Sequence, residues 1–219
     1  MRVYVHYYKD NATGIEYRWR TLLQTGESWD IRGTVIMKNP GSSKPMSIID
    51  GKAIPINNGK LLKRLYAFDN GDSYSGYDWY QFSVDNTMGH VGRLIGDYLR
   101  AHDMPVDGVI QIFNLFNIRD VDLNKALEKM KTSQSDSILM TTSDDIKHLV
   151  PPVYLGWGNL RNNQYFKDNA KLFFEEAKNR ALYLDPNYGN NPFYHPQYLL
   201  VYGRNKEKCK NIYSSFIND

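Results

Sequence analysis

The sequence has a single cysteine, Cys209, so it can hold neither a disulfide framework nor a thiolate metal site. It also lacks a charge excess. Its 27 basic residues stand against 24 acidic ones, for a net charge of +3. That balance excludes a polycationic, tail-driven nucleic-acid binder but allows an enzyme with a local basic groove. No hydrophobic run reaches the length of a membrane span, and the start, Met1-Arg2-Val3-Tyr4-Val5-His6, has no apolar signal core. A soluble protein of the reducing cytoplasm is therefore expected, and Cys209, in a polar stretch, reads as inert. His90, His102 and His148 show no ligand-like spacing, so no metal is expected. Repeats, low-complexity tracts and linkers are absent too. The 219 residues suit one domain spanning 1–219, with a sizeable core. Aromatic residues are plentiful at 14%, including 17 tyrosines. They are open to two readings, as core with satisfied hydroxyls or as stacking surfaces.

Three segments are the most informative. Val35-Ile36-Met37-Lys38-Asn39-Pro40-Gly41-Ser42-Ser43 and Val109-Ile110-Gln111-Ile112-Phe113-Asn114 are apolar, β-branched runs that end abruptly in an Asn. Such runs read as buried parallel strands whose two faces are covered by helices. In open α/β sheets the ligand site lies at the carboxyl ends of the strands, which is where Asn39 and Asn114 stand. The third segment, Asn191-Pro192-Phe193-Tyr194-His195-Pro196-Gln197-Tyr198-Leu199, brings the histidine.

Between these segments the pattern predicts strands over 1–8, 33–38, 108–114, 152–156 and 181–184, with 16–24 a strand or a short amphipathic piece. It predicts helices over 59–68, 88–102 (capped by Thr87), 120–130 and 163–179, with 144–149 a short helix or turn and 131–136 a loop. The stretch from about 42 to 80 is rich in Gly, Asn, Asp and Ser and reads as a long insertion.

Taken in order, five motifs resemble those of the uracil-DNA glycosylase superfamily, over roughly residues 33 to 202. They also resemble an uncharacterised bacterial family ending in H-P-x-Y-L. Met37-Lys38-Asn39-Pro40-Gly41 resembles the first motif in its mismatch-specific form, G-I-N-P-G. Phe82-Ser83-Val84 resembles the segment whose ring stacks on the flipped base. Ile112-Phe113-Asn114-Leu115-Phe116-Asn117 resembles the strand whose Asn reads the base edge. Tyr154-Leu155-Gly156-Trp157-Gly158 resembles the F-L-L-W-G strand, and His195-Pro196-Gln197-Tyr198-Leu199 the loop with the catalytic His and the wedge.

The resemblance implies an α/β fold with a central four-stranded, mainly parallel sheet flanked by helices, and an extended loop after the first core strand. It further implies a monofunctional DNA glycosylase that flips a base and leaves an abasic site. Asn39 and His195 are the implied catalytic residues, and Gly41, Phe82 and Asn114 the implied base-binding ones. Contacts to DNA fall to Ser42, Ser43, Gln197, Tyr198 and Leu199, with the Lys60/Lys63/Arg64 cluster either gripping DNA or solvated. Asn39 stands where the uracil enzymes carry an Asp; an amide takes no proton but can orient a water. Gly41 replaces a bulky Tyr and implies room for a 5-substituent. A modified pyrimidine in double-stranded DNA is thus the expected substrate, with hypermodified phage DNA in bacterial defence one setting. A monomer needing no metal or organic cofactor is expected. Lys38 is expected to point back along its strand, and Asp50 and Asp85 are further candidate bases. Two other classes stay open, an inactive nucleic-acid or modified-base binding module and a small-molecule N-glycoside hydrolase.

Overall fold

Apolar residues on both sides of the N-terminal strands require cover on both faces of whatever sheet they join. The computed structural model describes residues 1–69, 77–132, 140–141, 145, 147–177 and 185–218. In it β1 (Arg2–Lys9) and β2 (Glu16–Gln24) form an antiparallel hairpin. β3 (Ile31–Met37) follows, then a two-strand hairpin of β4 (Ile48–Ile49) and β5 (Lys52–Ala53). Next come α1 (Gly59–Tyr66), β6 (Trp79–Phe82), α2 (Asn86–Ala101), β7 (Val109–Asn114) and α3 (Leu123–Thr132). β8 (Val153–Leu155), α4 (Lys167–Ala177) and α5 (Glu207–Asn218) complete the order.

Six strands form one mixed sheet in the order β6-β1-β2-β7-β3-β8. β7, β3 and β8 run parallel, whereas the β6–β1, β1–β2 and β2–β7 pairings are antiparallel. The expected four-stranded, mainly parallel sheet is thus corrected to a larger and mostly antiparallel one. The physical reason lies in β7. Its free edge offers unpaired N–H and C=O groups, and β2 takes them in register, Thr21 opposite Ile112. The expected insertion over 42–80 holds α1, in the place of the helix expected over 59–68, and adds the small hairpin and edge strand β6; residues 70–76 lie outside the described residues. The strand expected over 181–184 and the loop over 133–136 lie outside the described residues, as does most of 142–146.

Alternation assigns the two faces. Val3, Val5, Leu23, Ile110, Ile112, Val35, Met37 and Tyr154 pack under α2 and α5. On the other face Trp19, Ile36, Phe113, Val153 and Leu155 pack under α3 and α4, and Tyr4, Leu22 and Val109 under α1. Each large apolar side chain so buried contributes roughly 1.5–3 kcal/mol. α2 is capped by Asp85 rather than Thr87: the Asp85 carboxylate accepts the Met88 N–H at 2.9 Å. Among the described residues no helix is long and apolar enough to cross a membrane.

Candidate active site

β3 and β7 lie side by side with Met37 opposite Asn114, so their carboxyl ends deliver Asn39 and Asn114 to the same place. β8 ends one strand over, where Gly156 N–H donates to Ile36 O at 2.8 Å. A side chain on Gly156 would put its Cβ 3.2 Å from Pro196 Cδ, so glycine lets the 193–197 loop cross close over the strand end. That loop is fixed at three points. Phe193 adopts φ +47° and packs its ring on Trp157 at 4.7 Å, its carbonyl accepts the Gly158 N–H at 2.7 Å, and the Tyr154 hydroxyl donates to Tyr194 O at 2.6 Å. His195 is therefore presented from a rigid support.

A cleft of about 340 Å³ opens there. Of the residues expected from the sequence, Asn39, Gly41, Asn114, His195, Gln197 and Tyr198 line it. The N-terminal turn of α2 and Asp85 form another wall.

The polar groups are in defined states. Burial, with charge repulsion from Lys38 and His90, pulls the His195 imidazole down to about 4, against an opposing pull from Asp85. The ring is therefore neutral at pH 7. Its Nδ1 accepts the Gln197 backbone N–H at 3.2 Å, which leaves the single ring proton on Nε2. Asn39 spends its amide donor on two carbonyls, Pro40 O at 3.1 Å and Asp120 O at 3.0 Å. Its Oδ1 accepts nothing from the described residues and is held in one orientation. Asn114 is 3% exposed, and its Nδ2 is buried without a partner. Such an orphaned donor costs about 1–3 kcal/mol unless a ligand satisfies it.

Several expected contacts are elsewhere. Phe82 is buried in the core between β1 and Pro45, outside the cleft wall, with the Arg18 guanidinium 5.9 Å over its ring. It presents no stacking face. Ser43 is buried, its N–H donating to Asp85 and its hydroxyl to Ser83 O at 2.5 Å, so neither is left for a phosphate. Ser42 is exposed in a neighbouring depression with Lys44 and Arg119, and its hydroxyl stays open. Leu199 is a core residue, because the π-helical turn Tyr198–Tyr202 rotates it inward. Lys60, Lys63 and Arg64 are exposed on α1 and do not reach the cleft; Arg64 lies 6.0 Å over Trp29. Asp50 occupies the tip of the small hairpin, in another depression.

Among the cleft residues that escape the sequence reading are Arg18, Lys38, Asp120 and Tyr202. Lys38 does not point back along its strand but lines the cleft, and burial lowers the pKa of its ammonium. Tyr202 is 67% exposed at the rim. Asp120 supplies the carbonyl that orients Asn39, while its carboxylate holds Lys129 at 2.7 Å. Among the described residues no group of three or more His, Cys, Asp or Glu could hold a metal ion. No known family, curated protein or solved structure matches the chain.

Proposed function

We propose that the chain is a monofunctional DNA glycosylase of the uracil-DNA glycosylase type, hydrolysing the bond between deoxyribose and a flipped, 5-substituted pyrimidine. The observation that carries this reading is the neutral His195, with Nδ1 accepting and Nε2–H free, in the same cleft as Asn39 and Asn114. The parallel trio β7-β3-β8, whose carboxyl ends converge on the cleft, supports the reading, since it sets both asparagines at strand ends.

The chemistry follows from the charges that develop. As the N-glycosidic bond breaks, the sugar becomes cationic and the base anionic. His195 Nε2–H donates to the base oxygen, and one such preorganised donor is worth on the order of 3 kcal/mol. Being neutral beforehand, it does not favour an anion in the ground state. Asn39 Oδ1 accepts a hydrogen from a water and holds its oxygen toward the sugar. The amide takes no proton, so the proton leaves with bulk solvent after attack. Asn114 Nδ2 finds its missing acceptor on the edge of the extruded base. Gly41 leaves room at the 5-position.

An abasic-site assay tests the reading. The protein and its Asn39→Ala and His195→Ala variants are incubated with uracil-containing DNA, ordinary DNA and phage DNA carrying hypermodified cytosines, then treated with alkali. Strand breaks on a modified DNA, lost in both variants, are expected. No breaks on any DNA, with salt-sensitive binding intact, would move the assignment to a binding module. Cleavage of free nucleosides but not of DNA would make it a small-molecule hydrolase.

A further inference from the structure

Lys38 has no part in the excision chemistry above, yet it lines the same cleft. β3 ends at Met37 and the chain bends at Lys38 and Asn39, so the amine and the water-holding amide leave from one strand end. The Lys38 side chain is half-buried, and its Nζ makes no hydrogen bond or ion pair among the described residues. Its charge acts on His195, which places the head group within electrostatic range of the imidazole.

An exposed lysine is an ammonium at pH 7 and no nucleophile. At Lys38 burial disfavours that charge and lowers the pKa, which enlarges the share of free amine. Among the described residues that line the cleft, Lys38 is the one primary amine. The N-terminal amine belongs to the other end of the sheet. Arg2 pairs with Gln24, and Gln24 with Val109, the first residue of β7 rather than its last.

A desolvated amine beside a carbonyl is the arrangement that forms an imine. Excision makes such a carbonyl. Once water has replaced the base at C1′, the sugar is a hemiacetal that opens to an aldehyde at that same carbon, the one Asn39 addresses.

We propose that Lys38 captures this aldehyde and gives the cleft a second activity, that of an abasic-site lyase. The amine adds to C1′ and water leaves, forming a protonated imine. The imine makes the C2′ hydrogens acidic. One of them passes to solvent, the C3′–O bond breaks, and its electron pair leaves with the phosphate of the downstream strand. Water then adds to the imine and frees the Lys38 amine, leaving an unsaturated aldehyde on the upstream fragment. Monofunctional then describes excision alone, in which water is the nucleophile. The DNA in this proposal rests on the glycosylase reading; the amine rests on the place of Lys38 in the cleft.

A duplex with a preformed abasic site tests the step without any excision. Protein and duplex are mixed with sodium borohydride, which reduces an imine to a stable amine link. A covalent adduct is expected with the wild type, mapping by peptide mass to Lys38. Without borohydride, the wild type should cut the duplex at the site with no alkali added. Lys38→Arg keeps the charge and should lose both adduct and cut, as should Lys38→Met. Anisotropy with a tetrahydrofuran analogue of the site, which has no aldehyde, should show that Lys38→Arg still binds. Binding lost along with the adduct would make Lys38 a DNA contact and overturn the proposal. An adduct that persists in Lys38→Arg, or maps to another lysine, would overturn it too. So would a wild type that binds the analogue and forms no adduct, and excision in the alkali assay would then keep the glycosylase reading. A wild type that neither binds the analogue nor excises a base would remove both.

Discussion

His195 keeps an uncharged imidazole, buried beside the Lys38 cation, and that makes it a liability in acid. Its folded pKa, about 4, lies below the 6.5 of the unfolded chain. Above pH 6.5 neither state takes the proton. As pH falls from 6.5 to 4 the unfolded chain binds a proton that the folded chain refuses, so folding weakens through that window. The loss is complete near pH 4 and amounts to about 3 kcal/mol at 1.36 kcal/mol per unit. Urea midpoints measured at pH 7, 5.5 and 4 should therefore fall more steeply for the wild type than for His195→Asn, and parallel curves would contradict the assignment. Lys38 contributes to the same depression, so Lys38→Met should raise the imidazole pKa, which an NMR titration of the ring would report.

The turn that follows His195 sends two side chains opposite ways. Within the π-helical turn Tyr198–Tyr202, Leu199 goes into the core and Tyr202 out to the cleft rim. Leu199→Ala should cost 2–5 kcal/mol of stability. Tyr202→Ala should leave stability alone and weaken duplex binding about tenfold by anisotropy, the range of one lost aromatic stack; unchanged binding would show that Tyr202 does not touch the duplex. Periodicity in the chain was enough to locate β3, β7 and β8, and with them Asn39, Gly41 and Asn114, because a buried parallel strand is apolar throughout and stops visibly. It located β1 as a strand and left β2 open between a strand and an amphipathic piece, and it gave neither its partners, since pairing depends on which free edge is within reach. Arg18 was illegible for a related reason: one charged residue in a strand reads as solvent-facing until the other side of the sheet is known. α5 was legible and overlooked. Cys209, Ile212, Tyr213, Phe216 and Ile217 recur at helical spacing, with Lys, Asn and Ser between them.

For the molecule as a whole, a net charge of +3 and a basic cluster away from the cleft imply few phosphate contacts. The logarithm of the DNA association constant should fall with that of salt at a slope of roughly −2 to −4, at about 0.9 per phosphate neutralised. Replacing Lys60, Lys63 and Arg64 together by Ala should leave that slope unchanged; a slope of zero for the wild type would remove DNA as the ligand. The strand order has a further consequence, during synthesis. β3 lies between β7 and β8, both made long after it, and β2 waits for β7 as well. A nascent chain emerging at about 5–20 residues per second thus carries the N-terminal hairpin and β3 with no neighbour to close on. The residue that completes the cleft, His195, leaves the ribosome after every strand of the sheet. Shortened translation products would therefore hold Asn39 and Asn114 without the histidine, and the cleft is complete only in chains that have been translated past the whole sheet.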